Sequence, residues 1–216
     1  MNNSLEEIKF GNPTRDQLEY LQKACEYDYL LPEMFKHNFP SNISTHTQDE
    51  LDVLVEYQKE FNSLPDSTKK RYVKYDQELS TSIINYVYNL YRWDITDIVL
   101  EIIQSTMPVL LKLKYKFQRP RPYQLALSYK KSLFPMQSLS ANNPSFPSGH
   151  SFQANLIADT LSSIEPKLYN DMKKIVLDIN EQRLFYGVHY PSDIDSAKTF
   201  ADYILKSKEW TTKFNI

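Results

Sequence analysis

The sequence predicts an all-α protein folded as a single-domain helical bundle, and three observations carry that expectation. Apolar residues recur at helical spacing in one segment after another, helix-start patterns and prolines punctuate those segments, and strand signals are weak throughout. The chain has 216 residues, 41% hydrophobic and 13% aromatic, which is enough to bury a substantial core. No internal repeat, low-complexity tract or linker divides it.

The elements follow in order. Thr14-x-x-Gln17 is a capping-box pattern and predicts a helix over 14–31, ending before Pro32. Residues 33–46, with Pro40, Asn42 and Ser44, read as a loop. Thr47-x-x-Glu50 is a second capping box, opening a helix that sets Leu51, Leu54, Val55 and Phe61 on one side. Pro65-Asp66-Ser67 is a break. A tyrosine-rich helix follows over 79–91, with Ile83, Ile84, Val87 and Leu90 at helical spacing and its tyrosines at the rim of the core.

Asp94 or Thr96 caps the next helix, which runs to Lys114 and is expected to kink at Pro108. Arg119-Pro120-Arg121-Pro122 cannot continue it, because each residue before a proline is pushed toward extended geometry. Residues 132–147, with Pro135, Pro144 and Pro147, form a loop. Helices are then expected over 148–164, 166–188 and 192–206. In domain terms, 1–75 reads as an N-terminal helical extension and 76–207 as the catalytic core of one domain.

Function is read from a few positions. The chain has three glycines, Gly11, Gly149 and Gly187, and two of them stand beside a histidine, in Ser148-Gly149-His150 and Gly187-Val188-His189. So sparing a use points to tight turns or close approach to a ligand. Ser148 opens a helix, and the exposed N–H groups of a helix start attract anions. Charge agrees. No Asp or Glu occurs over 102–158, while Lys112, Lys114, Lys116, Arg119, Arg121, Lys130 and Lys131 do. That interval is either a basic surface face or a pocket for an anionic substrate. Arg183 falls within the apolar stripe Leu168, Met172, Ile175, Val176, Ile179. A guanidinium facing a core needs an anion, whether a carboxylate of the chain or a ligand.

Of the four histidines, His37 and His46 fall in the expected loop and read as surface residues. His189 has Asp193 four residues on, near enough to orient its ring as an activated nucleophile or base. A metal site is not expected, because no H-E-x-x-H or carboxylate cluster accompanies the histidines. Cys25 is alone, which excludes a disulfide framework. The net charge of −2 gives no sign of a nucleic-acid partner. No stretch approaches the roughly 20 apolar residues of a membrane span. The first seven residues lack the basic and apolar regions of a signal peptide. A cytoplasmic location is therefore expected, with a periplasmic or secreted one only if a leader has been removed.

Three motifs together resemble a known family. Lys114-x6-Arg121-Pro122, Pro147-Ser148-Gly149-His150 and Arg183-x5-His189-x3-Asp193 match, in order, the pattern of the type 2 phosphatidic acid phosphatase superfamily. That group includes bacterial nonspecific acid phosphatases, membrane lipid phosphatases and vanadium haloperoxidases. One position departs: Gln182 stands where the family usually has serine.

The resemblance implies a helical bundle of the acid phosphatase/vanadium haloperoxidase type with the site at one end. It implies that His189 attacks phosphorus while Asp193 holds its imidazole. Lys114, Arg121, Arg183, the Ser148 hydroxyl and the Gly149 amide would hold the phosphoryl oxygens. His150 would protonate the leaving oxygen and then activate water. The implied activity is metal-independent hydrolysis of phosphomonoesters, with pyrophosphates as a further class, through a phosphohistidine and without a cofactor; vanadate would occupy the phosphate site. The partner is a small phosphorylated substrate, and a homo-oligomer stays open. A vanadate-dependent haloperoxidase and a non-catalytic phosphate-binding protein are the alternative readings.

Overall fold

The computed structural model describes residues 5–138 and 140–216. Residues 1–4, part of the stretch read for a leader, and residue 139, within the expected 132–147 loop, lie outside them. The helices are α1 (Arg15–Gln22), α2 (Leu31–Met34), α3 (Thr45–Ser63), α4 (Asp66–Gln77), α5 (Leu79–Tyr91), α6 (Thr96–Phe117), α7 (Pro122–Ala126), α8 (Gly149–Ile164), α9 (Tyr169–Phe185), α10 (Pro191–Leu205) and α11 (Lys208–Phe214). Short 3-10 turns occur at Asp28–Leu30, Leu127–Tyr129 and Pro166–Leu168, and no strand occurs among the described residues. The protein is all-α, as the sequence predicts.

The bundle is built around α8. Its residues from Ser151 to Ala158 are buried without interruption, so it is wrapped on all sides and does not show a single apolar stripe. It packs against α9 and α10, and also against α6. Phe146, Phe117 and Phe200 meet beneath its start, with ring centroids 4.9 Å apart for the first two and 5.8 Å for Phe146 and Phe200. α3 and α4 cover α9 from outside, and α1 and α2 lie on α6. None of the helices among the described residues is long and apolar enough to cross a membrane.

Several boundaries move for local reasons. The Thr14 capping box forms as expected, with Thr14 N bonded to Gln17 Oε1 at 2.8 Å. α1 nevertheless stops at Gln22, where Lys23 turns to extended backbone and Asp28 Oδ2 accepts from Cys25 N at 3.0 Å. Pro32 opens α2 instead of ending a helix, since a proline lacks only an N–H that the first turn leaves unpaired anyway. α3 starts at Thr45, capped by Ser44, whose Oγ accepts from Thr47 N at 3.1 Å. Thr47 instead donates its hydroxyl to Ser41 O at 2.8 Å, and Glu50 is engaged elsewhere. Pro65 is no break between loops: it is the N-cap residue of α4, a helix that buries only Tyr72 and Asp76. The 75/76 division drawn from the sequence falls inside α4.

α5 has the predicted bounds. Asp94 Oδ1 accepts from Thr96 N at 2.9 Å and organises the start of α6, which continues through Pro108 and past Lys114 to Phe117. The helix expected over 166–188 is a 3-10 turn followed by α9, ending at Phe185. α11, past the last expected helix, buries Trp210 against Tyr27.

Candidate active site

The motif residues sit on helix ends that converge. Lys114 is in the last turn of α6. Gln118 takes a left-handed conformation (φ 51°) and turns the chain out of that helix, and Arg121 is the N-cap residue of α7. Ser148, Gly149 and His150 begin α8. Arg183 is in the last turn of α9. Gly187 then reverses the chain at φ +62°, where a Cβ would also come within 3.0 Å of Gln58 Nε2, and His189 follows just before α10. Asp193 is in the first turn of α10, and Ser148 N donates to Asp193 O at 3.0 Å, tying the starts of α8 and α10 together.

Lys114, Arg121, Gly149, His150 and His189 line a cavity of about 100 Å³. Ser140, Asn143 and Gln153 add polar groups, and Met107, Leu110 and Leu111 form its apolar side. A larger hollow of about 290 Å³ beside Cys25, Glu101 and Lys213 contains none of the motif residues. Gly149 has ordinary backbone dihedrals; a Cβ there would stand 3.4 Å from Leu110 and 3.6 Å from Lys114, so its bareness keeps the floor of the cavity open.

The hydrogen bonds fix both histidine tautomers, because arginine only donates and carboxylates and carbonyls only accept. His189 Nδ1 lies 3.3 Å from Asp193 Oδ2 and Nε2 lies 2.9 Å from Arg121 NH1. Nδ1 therefore carries the proton and Nε2 the lone pair. His150 is the reverse: Nδ1 accepts from Arg183 NH1 at 3.2 Å and Nε2–H donates to Asp76 O at 3.3 Å. Burial first, and then the neighbouring guanidinium, pushes each ring well below the ordinary histidine range: Arg121 beside His189, Arg183 beside His150. Both are neutral, and the Asp193 contact is a hydrogen bond and not an ion pair.

Each cation of the site already has partners. Lys114 Nζ donates to Pro144 O at 2.7 Å, and burial, with Arg121 nearby, holds its pKa well below the usual lysine range. Arg121 donates to Val188 O at 2.7 Å and to Asn143 O at 2.9 Å, and burial lowers its pKa to about 10. Arg183 NH2 is paired with Asp76 Oδ1, and NH1 reaches Ser140 Oγ at 3.2 Å. Of the two anions the sequence allows for Arg183, the structure supplies the carboxylate, Asp76. Among the described residues, Arg183 Nε is buried without a hydrogen-bond partner. The Ser148 hydroxyl is engaged in capping α8, 3.4 Å from Ser151 N and 2.9 Å from Ser151 Oγ.

Sequence reasoning missed three of the charged groups that organise this site. Asp76 comes from α4. Glu50, read as part of a capping box, accepts instead from Arg119 NH2 at 2.9 Å. Arg119, read as part of a basic interval, donates to Asp193 Oδ1 at 2.6 Å. Burial works to raise the Asp193 carboxyl, but Arg119 and the hydrogen bonds from His189 and Ser145 overcome it and hold the group far below the usual carboxylate range. His37 is also not a plain surface residue: it bonds Tyr203 Oη at 3.1 Å and packs edge-on against Phe200. His46 is exposed. Gln182 is fully buried, and neither atom of its amide has a hydrogen-bond partner among the described residues.

Among the described residues no three His, Cys, Asp or Glu side chains are grouped closely enough to hold a metal ion. Residues 97–196 match the family model of the PAP2 superfamily. That segment contains every motif residue, but neither Glu50 nor Asp76. A search of curated proteins found no match.

Proposed function

We propose, from the match of its 97–196 segment to the PAP2 superfamily, whose members are phosphatases or related enzymes, that the chain hydrolyses phosphomonoesters without a metal, through a phosphohistidine on His189. The observation that carries the reading is the tautomer of His189. Its lone pair is on Nε2, beside Arg121 in the cavity, and its proton is held on Nδ1 by Asp193. That is the arrangement a nitrogen nucleophile needs.

Phosphoryl transfer is mostly positioning and charge stabilisation. Lys114, Arg121 and Gly149 line the place where a phosphoryl group would sit; Arg183 stands behind His150, which does line it, and keeps one buried donor, Nε, without a partner among the described residues. His189 Nε2 attacks phosphorus, the P–O bond to the leaving group breaks, and His150 gives that oxygen a proton. His150 then takes a proton from water, whose oxygen attacks phosphorus and releases His189. A bound phosphoryl dianion draws Arg183 away from His150 Nδ1 and opposes the charge that keeps the ring unprotonated. Substrate thus arms the acid.

The test is covalent trapping. Wild-type protein and the His189→Ala and His150→Ala variants are mixed with labelled p-nitrophenyl phosphate in the presence of a chelator and quenched in alkali. His150→Ala should retain label and keep measurable activity on this activated phenol, because general acid help, worth roughly 10²–10⁴-fold, matters least for a good leaving group. His189→Ala should do neither. Label on His189→Ala with none on His150→Ala would mean that the roles are reversed. Loss of wild-type activity in the chelator, restored by a divalent ion, would refute the metal-free reading.

A further inference from the structure

Asp193 orients the proposed nucleophile, yet it is itself held from behind by side chains that are not among the fixed positions of the three motifs. Arg119 NH1 donates to Asp193 Oδ1 at 2.6 Å and to Ser192 Oγ at 2.8 Å, while NH2 donates to Glu50 Oε2 at 2.9 Å. Glu50 Oε1 accepts from Ser192 N at 2.6 Å, in the first turn of α10. The side chains of Glu50, Arg119 and Asp193 are 4%, 1% and 0% exposed. The guanidinium lies over the Tyr190 ring, 3.8 Å from its centroid, and 5.1 Å from that of Phe39. Glu50 stands on α3, nearly fifty positions before the family-matched segment begins.

We infer that Glu50 and Arg119 are positioning residues for His189, and that Glu50 determines how much of the Asp193 charge reaches its imidazole. The inference rests on the reading of His189 as nucleophile. A buried carboxylate beside a neutral imidazole takes up a proton unless a cation keeps it ionised. Arg119 is that cation. A guanidinium paired with Asp193 alone, however, would cancel its charge and leave nothing to oppose the positive charge that grows on His189 as the P–N bond forms. Glu50 binds the other edge of the same guanidinium, which its planar fork permits. The three groups together carry one net negative charge. Asp193 stays ionised and still acts on the ring.

The same carboxylate fixes direction as well as charge. Through Ser192 N, Glu50 holds the turn of α10 from which Asp193 projects. The charged groups that face His189 are Arg121, Lys114 and Asp193, with Arg119 and Glu50 behind the last. Without Glu50 the cations are less opposed. The neutral ring is then favoured further, and the acid limb of kcat/KM moves to lower pH while kcat falls.

The experiment compares wild type, Glu50→Gln and Arg119→Lys on p-nitrophenyl phosphate across pH, with inorganic phosphate binding measured by calorimetry. Glu50→Gln should lower kcat on the order of tenfold or more, the scale seen when a group behind a catalytic ligand is lost. Phosphate affinity should stay within about twofold, because Lys114, Arg121 and Arg183 are untouched. Arg119→Lys keeps the charge but loses the fork, and kcat should fall in the same way. Activity and phosphate binding declining together, in proportion to the folded fraction, would make the pair merely structural and overturn the inference. So would an unchanged kcat in folded Glu50→Gln. If that variant does not fold, Glu50→Asp keeps the charge but draws it back by one methylene. It should lower kcat without moving the acid limb, and an unaltered kcat overturns the inference. A wild type without phosphatase activity would sink the functional reading instead. The 15N titration of the His189 ring then still decides: its pKa should drop in Glu50→Gln, and an unmoved value would dispose of the coupling.

Discussion

Replacing Asp76 by asparagine removes one charge from a pair whose side chains are 3% and 1% exposed, and it barely changes side-chain volume. Arg183 would keep its contacts to Ser140 Oγ and His150 Nδ1, both at 3.2 Å, but neither is an anion. Removing one partner of a buried pair costs about 3–5 kcal/mol. The amide oxygen of asparagine can still accept a hydrogen bond, which favours the lower end, about 3 kcal/mol. In a chain of this size each kcal/mol moves Tm by roughly 2–4 °C, so the variant should melt about 6–12 °C below wild type. The second consequence has the opposite sign. Under the proposed reading, inorganic phosphate in the wild-type protein would compete with Asp76 for Arg183, and in the variant it would meet that guanidinium unpaired. Phosphate affinity should rise on the order of tenfold, equivalent to about 1.4 kcal/mol. Thermal unfolding against a phosphate series measures both effects in one experiment, since a ligand bound only to the folded state raises Tm with concentration. A variant that melts with wild type, or binds phosphate more weakly than wild type, would refute the reasoning.

Two further expectations concern stability. His150 and His189 both have folded pKa values depressed below the unfolded value near 6.5, so the unfolded chain binds more protons as pH falls through that value. Their contribution to stability is therefore present above about pH 6.5 and lost progressively below it. Tm measured against pH should fall on the acid side, and His150→Gln should flatten that slope; parallel curves would show that the ring is not the titrating group. In α11, Trp210 is fully buried and donates Nε1–H to Thr160 Oγ1 at 3.1 Å. Trp210→Ala should cost about 3–5 kcal/mol in a denaturant titration, and a change under about 1 kcal/mol would mean that the site collapses around the gap.

The parts of the molecule that could be read from the chain are those with a pattern. α5 announces itself by Ile83 and Val87 at helical spacing, both buried as that spacing requires. The residues grouped at the cavity are legible for a different reason: the chemistry forces particular residue types at fixed separations along one turn, as with His189 and Asp193 at i and i+4. What stays hidden are the partners that arrive from elsewhere in the chain. α4 buries only Tyr72 and Asp76, so it has no apolar stripe, and the proline before it looks like a break. Glu50 lies three residues after a threonine and before a leucine, the local signature of a capping box. Only the approach of Arg119, across 69 positions of sequence, shows which role it fills. A charge that is neutralised at long range leaves no local trace. The one available clue was that Arg119 and Arg183 are cations in segments that the fold has to bury.

Lys114 rests on the Pro144 carbonyl, Arg121 on Val188 and Asn143, and Arg183 on Asp76. A phosphoryl group held by these three side chains would take the place of partners that the protein already supplies. Under the proposed reading, that matters most at the end of the cycle. Free phosphate offers the same oxygens as the substrate, and in a pocket of bare cations it would linger. Here four internal acceptors wait within reach of the donors that must let it go, so departure needs no influx of water to satisfy a buried charge. Product inhibition is then set by those acceptors, three backbone carbonyls and one carboxylate, none of which takes part in bond making.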